Sequence, residues 1–223
     1  MIAPVLSGRL RGKWWHLGSR GKLLRVLGGS YEREQTRLFE AHVRPGQTVL
    51  DVGAHVGYYT LLASSLVGPR GAVWAFEPSP HNARFLRRHV RLNRCANVRV
   101  EEGAVSSREG TAWFAPGSGS GTGHLAGSGR FQVRTVALDA WCAEREIRPD
   151  VVKIDVEGAE REVLEGARRV LETARPLLFL STHGAEVHAA CLELLRGVGY
   201  GFTPVLGDDV ERTAELLCTP GAA

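Results

Sequence analysis

The run Thr48-Val-Leu-Asp-Val-Gly-Ala-His-Val-Gly57 decides the fold of this chain. An apolar strand ends in an acid, turns through two glycines and leads into a helical pattern from Tyr58 to Val67. Glycine has no Cβ, so Gly53 and Gly57 can take turn dihedrals closed to other residues and let a ligand approach the backbone. The first amides of the following helix, with its dipole, give that ligand a polar edge. Asp51 stands at the carboxyl end of the strand, where open α/β sheets bind their ligands. The dinucleotide fingerprint G-x-G-x-x-G is incomplete, since His55 follows Gly53-Ala54. A plain tight turn between strand and helix is the alternative reading.

Two further runs repeat the pattern. Ala72-Val-Trp-Ala-Phe-Glu77-Pro78 is an apolar strand ending in a carboxylate twenty positions after Gly57. An acid at that distance can accept two hydrogen bonds from a ribose diol. Alternatively, Glu77 is a solvated strand end stopped by Pro78. Val151-Val-Lys-Ile-Asp155-Val-Glu157-Gly158-Ala159-Glu160 again runs a strand into carboxylates and a helix. Three strands each delivering an acid to one edge point to a nucleotide-like cofactor.

Between them strand and helix alternate. Strands are expected at 48–52, 72–77, 97–103, 131–136, 150–155 and 176–181, helices at 57–67, 80–92, 137–146, 159–171 and 185–197, and two last strands near 200–205 and 214–218. Such alternation means parallel strands joined by right-handed crossovers. Upstream, residues 1–27 are basic and amphipathic, and Tyr31 to His42 is a helical run closed by Pro45-Gly46. The expected division is a helical leader or cap over 1–45 and the catalytic domain over 46–223.

Composition limits the remaining classes. A chain of 223 residues can bury one full core. No apolar run is long enough to cross a bilayer, and Met1 to Leu10 carries Pro4 and Gly8 in place of a secretory apolar stretch, so a cytoplasmic enzyme is expected. Four widely spaced cysteines without a Cys-x-x-Cys pair suggest reduced thiols. The net charge of +4 rests on 25 arginines and 3 lysines. One cluster, Arg84, Arg87, Arg88 and Arg91, has the spacing of a solvated helix face, and no nucleic-acid signature accompanies the basic, aromatic leader.

Asp51-Val-Gly-Ala-His-Val-Gly57, Ala75-Phe-Glu77-Pro78, Lys153-Ile-Asp155-Val-Glu157-Gly158-Ala159-Glu160 and Thr182-His183-Gly184 together resemble the FkbM family of S-adenosylmethionine-dependent methyltransferases. Gly29-Ser-Tyr31-Glu32 looks like that family's leading segment. The resemblance spans roughly residues 28 to 205. Family members usually carry asparagine at the position of His55, and often a Glu two positions ahead of the His where this chain has Ser181. The fold implied is α/β and Rossmann-like, the class I methyltransferase form: a mostly parallel seven-stranded sheet with a terminal antiparallel hairpin and helices on both faces.

The resemblance also implies roles. Asp51, Gly53, Ala54, His55 and Gly57 would hold the methionine part and ribose of S-adenosylmethionine, Glu77 and Pro78 its ribose, and Ala104 and Val105 its adenine, with Tyr31 and Glu32 closing over it. The acceptor would be a small molecule with a hydroxyl group, a sugar or specialised metabolite, with no nucleic acid partner and with homo-oligomerisation left open. Alignment of donor and acceptor can supply most of the rate, and a base to take the hydroxyl proton adds to it. Asp155 and His183, expected at neighbouring strand ends, are the candidates, Asp155 also counting among the cofactor contacts. Lys153 and Glu157 stand beside them, Lys153 as a carboxylate partner and Glu157, with Glu160, partly as helix N-terminal charge. Asp155, Glu157 and His183 are also a mixed set that suits a divalent metal, although their spacing does not demand one and none is assigned. The Gly/Ser-rich segment 115–130 reads either as an inert linker or as a lid with His124 as a contact. A nicotinamide oxidoreductase or an inert binding module of the same fold are the rivals. The incomplete glycine fingerprint speaks against the first and the retained acids against the second.

Overall fold

The leading residues pair where a helix was expected. In the computed structural model, which describes residues 1–19, 22–115 and 123–221, Ile2–Pro4 (β1) and Trp14–His16 (β2) form an antiparallel two-stranded sheet, followed by a 3-10 turn at Leu17–Ser19. Helices Leu23–Leu27 (α1) and Arg33–His42 (α2) follow. Strands of three residues are too short to show alternation in the sequence. Val5, Leu10 and Trp15 turn inward and join the same buried cluster as Val49, Leu61 and Phe179. The leader and the sheet thus share a core.

The alternating part then runs Thr48–Val52 (β3), Tyr58–Val67 (α3), Ala72–Phe76 (β4), Pro80–Leu92 (α4) and Val98–Glu101 (β5). Next come Ala104–Val105 (β6), Gly110–Ala115 (β7), His124–Ala126 (β8), Phe131–Val136 (β9) and Leu138–Glu144 (α5). The chain ends with Val151–Ile154 (β10), Glu160–Glu165 (α6), Arg168–Thr173 (α7), Leu177–Ser181 (β11), Ala185–Gly197 (α8), Tyr200–Pro204 (β12) and Glu215–Pro220 (β13). Seven strands form the main sheet in the order β12-β13-β11-β10-β3-β4-β5. All pairs are parallel except β11·β13 and β12·β13.

Both faces of the sheet are covered, so its strands read as near-continuous apolar runs. Alternate residues serve opposite cores: Leu50, Val52, Val152 and Ile154 pack with Trp141 and Leu164, while Val49 and Val151 pack with Phe39 and Leu62. Two expectations are corrected. Strand 131–136 leaves the main sheet and pairs with β6 and β7 in a four-stranded sheet of order β6-β9-β7-β8. Helix 159–171 is broken into α6 and α7 around Gly166, where a Cβ would lie 2.1 Å from the Ser106 carbonyl oxygen.

Register decides where the site lies. Val52 pairs with both Phe76 and Ile154, so Gly53, Glu77 and Asp155 leave the sheet at one level.

Candidate functional site

At that edge lies a cavity lined by Gly53, His55, Phe76, Glu77, Pro78, Asn82, Gly103, Ala104, Val105, Phe114, Gly123, Asp155, Val156, Glu157 and Ala159. Its wall is apolar on the side of Phe76, Pro78, Ala104 and Val105 and acidic at Glu77, Asp155 and Glu157. Seven of the residues expected to hold a cofactor line it: Gly53, His55, Glu77, Pro78, Ala104, Val105 and Asp155. Tyr31, Glu32, Asp51, Ala54 and Gly57 are not on this wall.

The loop after β3 is shaped first by the protein itself. The amides of Gly53 and Ala54 both donate to the Phe76 carbonyl, at 3.1 and 2.9 Å, folding the loop over the end of β4. Gly53 has φ +82°, and a Cβ there would lie 1.8 Å from the Asp155 carbonyl oxygen. Close approach of two strand ends, more than approach of a ligand, is what this glycine permits. His55 sits at φ 51°, a left-handed conformation in which Asn and His are both enriched, so the loop geometry survives the exchange.

Glu77 is the centre of the acidic wall. It is 4% exposed. One carboxylate oxygen accepts the His55 amide at 2.7 Å, the other the Ser79 amide at 2.9 Å and Asn82 Nδ2 at 3.3 Å. A carboxylate has about four lone-pair positions, so about one is left for a ligand hydroxyl, fewer than a two-bond contact with a diol would use. Burial outweighs the three donors and pushes its pKa up to about 7.

Asp51 is placed beneath the loop rather than in the cavity. It is fully buried, accepts Thr60 Oγ1 at 2.5 Å through Oδ2, and its Oδ1 has no hydrogen-bond partner. Burial raises its pKa against the opposing pull of Lys153 and Thr60. Lys153, 2% exposed, donates to Asp155 Oδ2 at 3.1 Å and lies 4.9 Å from the centre of the Tyr59 ring. Burial would lower its pKa, but Asp155, Asp51 and Glu32 raise it. The same pair works on Asp155: burial pushes up, and Lys153 more than offsets it, holding the carboxyl below its ordinary value. Tyr31 and Glu32 belong to this side of the edge. Tyr31 packs on Tyr58 with ring centres 4.6 Å apart, and Lys22 lies 3.8 Å from Glu32.

β11 brings His183 to the third acid. Its Nδ1 is 2.8 Å from Glu160 Oε1, while Nε2 lies 3.6 Å from Glu157 Oε2 and 3.9 Å from Asp155 Oδ1. The hydrogen bond to Glu160, with the charges of Glu157, Glu160 and Asp155, raises its pKa to about 9. Among these acids the ring therefore holds its proton more tightly than an ordinary histidine. His124 falls in β8, but its side chain and residues 116–122 of the expected lid lie outside the described residues.

Asn82, Phe114 and Gly123 also line the cavity, although the sequence did not single them out. Asn82 is the third residue of α4, whose start is signalled by the Ser79 cap and Pro80, and its side chain turns back to Glu77. Phe114 and Gly123 reach the cavity from β7 and its connection to β8. Glu160 opens α6, as its reading partly as helix N-terminal charge expects, and it is also fully buried and holds His183.

A parallel sheet closed by an antiparallel pair at one edge, with acids at the carboxyl ends of its central strands, defines the class I methyltransferase fold. The methyltransferase FkbM domain matches residues 51–202. The chain belongs to that family. It is 32% identical over 207 residues to the 31-O-demethyl-FK506 methyltransferase FkbM of Streptomyces tacrolimicus, covering 75% of this chain and 76% of that one. To the hexuronic acid methyltransferase AglP of Haloferax volcanii it is 27% identical over 161 residues, 71% of this chain and 63% of the relative's length. Among solved structures, the methyltransferase FkbM of Methylobacillus flagellatus superposes with a TM-score of 0.56 at 17% identity, covering 88% of this chain and 52% of that one. The chain therefore spans about three-fifths of AglP and half of the solved relative. No helix among the described residues is long and apolar enough to cross a membrane.

Proposed function

We propose that the protein is an S-adenosylmethionine-dependent O-methyltransferase acting on a hydroxyl of a small molecule, a sugar or specialised metabolite. The observation that carries this reading is the cavity at the ends of β3, β4 and β10, whose lining joins the carboxylate of Glu77 to an apolar wall. That combination suits an adenosine group: Phe76, Pro78, Ala104 and Val105 would cover the base, and Glu77 would accept a ribose hydroxyl. The bound donor supplies an electrophilic methyl group on a sulfonium. The protein's own part is alignment and proton handling. Asp155, kept ionised by Lys153 and lining the cavity, would take the acceptor's proton. His183, when protonated, balances the acids beside it. The acceptor class draws on the relatives, of which one is named for a hexuronic acid and one for 31-O-demethyl-FK506. The four cysteines are buried free thiols, which fits a cytoplasmic setting.

Calorimetric titration with S-adenosylmethionine and its demethylated product, beside NAD and a Glu77→Ala variant, tests this. Binding of the sulfur ligands that the substitution weakens at least tenfold is expected, followed by turnover in a screen of uronic acids and other polyols. Binding of NAD without either sulfur ligand would overturn the reading.

A further inference from the structure

The structure assigns a second ligand to this edge: we infer that Asp155, Glu157 and His183 bind one divalent cation beside the donor cavity. The inference rests on the proposed methyl transfer for its purpose only, since the residues and distances stand without it. Asp155 follows β10, Glu157 lies in the turn before α6, and His183 follows β11. Their ligand atoms lie within 4.8 Å of one another. Adjacent ligands of an ion with bonds of about 2.1 Å stand about 3 Å apart, so closing the widest of these gaps takes about 2 Å and the two gaps from His183 less than about 1 Å each.

Glu160 gives the second, independent reason. Its side chain is fully buried, its Oε1 takes the Gly158 amide at 3.0 Å as well as His183 Nδ1, and its Oε2 has no hydrogen-bond partner. A carboxylate placed in the interior to hold one nitrogen of a part-exposed imidazole turns the other nitrogen outward. That is how a metal-ligating histidine is oriented. Asp155 is arranged the same way: Lys153 occupies Oδ2 and Oδ1 is the oxygen facing His183. Two carboxylates balance a divalent charge, and an imidazole among them favours Mn2+, Fe2+ or Zn2+ over Mg2+ or Ca2+. Three protein ligands leave positions for an acceptor, and Asp155 and Glu157 both line the cavity. A hydroxyl bound to the ion would lose its proton far more readily than in water, and a polyol with two neighbouring oxygens would chelate it.

The test is titration of the chelator-treated full chain with Mn2+, followed by electron paramagnetic resonance of the free ion. The same samples are titrated with S-adenosylmethionine by calorimetry. One Mn2+ per chain is expected, with binding weakened at least about tenfold in His183→Ala and in Glu160→Gln. Should His183→Ala not fold, Glu157→Gln reads the same site, and Co2+ absorption reports the nitrogen ligand in the unmodified protein. Absence of Mn2+ binding, or binding that these substitutions leave unchanged, overturns the inference. Donor binding in that case leaves the methyltransferase reading standing, and Mn2+ binding without donor binding separates the two the other way.

Discussion

Glu77 makes the cavity wall at the expense of stability, and the effect has a defined pH signature. Its carboxyl goes from an ordinary value of 4.5 to about 7 on folding. The folded-state pKa is the higher one, so the contribution to stability is complete below about pH 4.5 and is lost as pH rises through 7. The gap is worth about 3 kcal/mol. In a Glu77→Gln variant the titration is gone, but the new amide group must face one of the three donors that now point at the carboxylate, at a roughly constant cost of about 1–3 kcal/mol. The variant should therefore be the less stable protein at pH 4.5 and gain about 3 kcal/mol on the unmodified chain by about pH 8.5. Urea unfolding of both proteins across that range measures the difference, in which all other titrations cancel. A stability difference that does not change with pH would refute the assignment of a raised pKa to this residue. Donor affinity of the unmodified chain should move the opposite way, weakening below pH 7 as the acceptor of the ribose hydroxyl becomes protonated.

Other consequences follow from the same geometry. Lys153→Met leaves Asp51 without its cation and Asp155 without its donor, and a loss of about 3–5 kcal/mol in denaturant stability is expected. An unchanged unfolding midpoint would show that the ammonium is not the counterion. Gly53→Ala puts a methyl 1.8 Å from the Asp155 carbonyl oxygen at a positive φ, so it should destabilise by more than about 1 kcal/mol and abolish donor binding, read by calorimetry. His89, fully buried, is pushed by burial down to about 4 from 6.5. Its folded-state pKa is the lower one, so stability falls by up to about 3 kcal/mol as pH drops from 6.5 to 4, and a His89→Phe variant lacks that dependence in urea unfolding.

What the sequence made legible were the strands whose chemistry is local. β3, β4 and β10 are buried on both faces and each carries an acid at or beside its carboxyl end, so an apolar run followed by a carboxylate and a turn was enough to bring Glu77 and Asp155 to one edge, with Asp51 two positions below them in the sheet. The second sheet escaped for a physical reason. β9 alternates outward Gln132 and Arg134 with buried Val133 and Thr135, a pattern that fits any half-buried strand, and only its pairing with β7 shows which sheet it joins. Asp51 shows a different limit. Its position at the strand end was right, but whether such an acid faces a ligand or the protein depends on Thr60 and Lys153, which pattern alone does not bring to it. The same holds for Glu160, whose partner His183 is 23 positions away.

The leader ties these observations together. The His16 amide donates to His89 Nε2 at 2.9 Å, the ring stacks on Trp15 with centres 4.0 Å apart, and Nδ1 donates to the Val56 carbonyl at 2.7 Å. One neutral ring thus joins β2, α4 and the loop that carries Gly53, His55 and Gly57. His55 in turn donates its amide to Glu77, so the path from the leader to the cavity wall is a chain of hydrogen bonds through backbone held in left-handed geometry. Protonating His89 would put a hydrogen on Nε2, where an amide already points. The contact with His16 would break before the sheet is disturbed, and the loop would lose its brace on that side. Acid should therefore weaken donor binding by two routes that a single pair of variants separates. Glu77→Gln removes the dependence centred near pH 7, and His89→Phe removes the one that sets in toward pH 4.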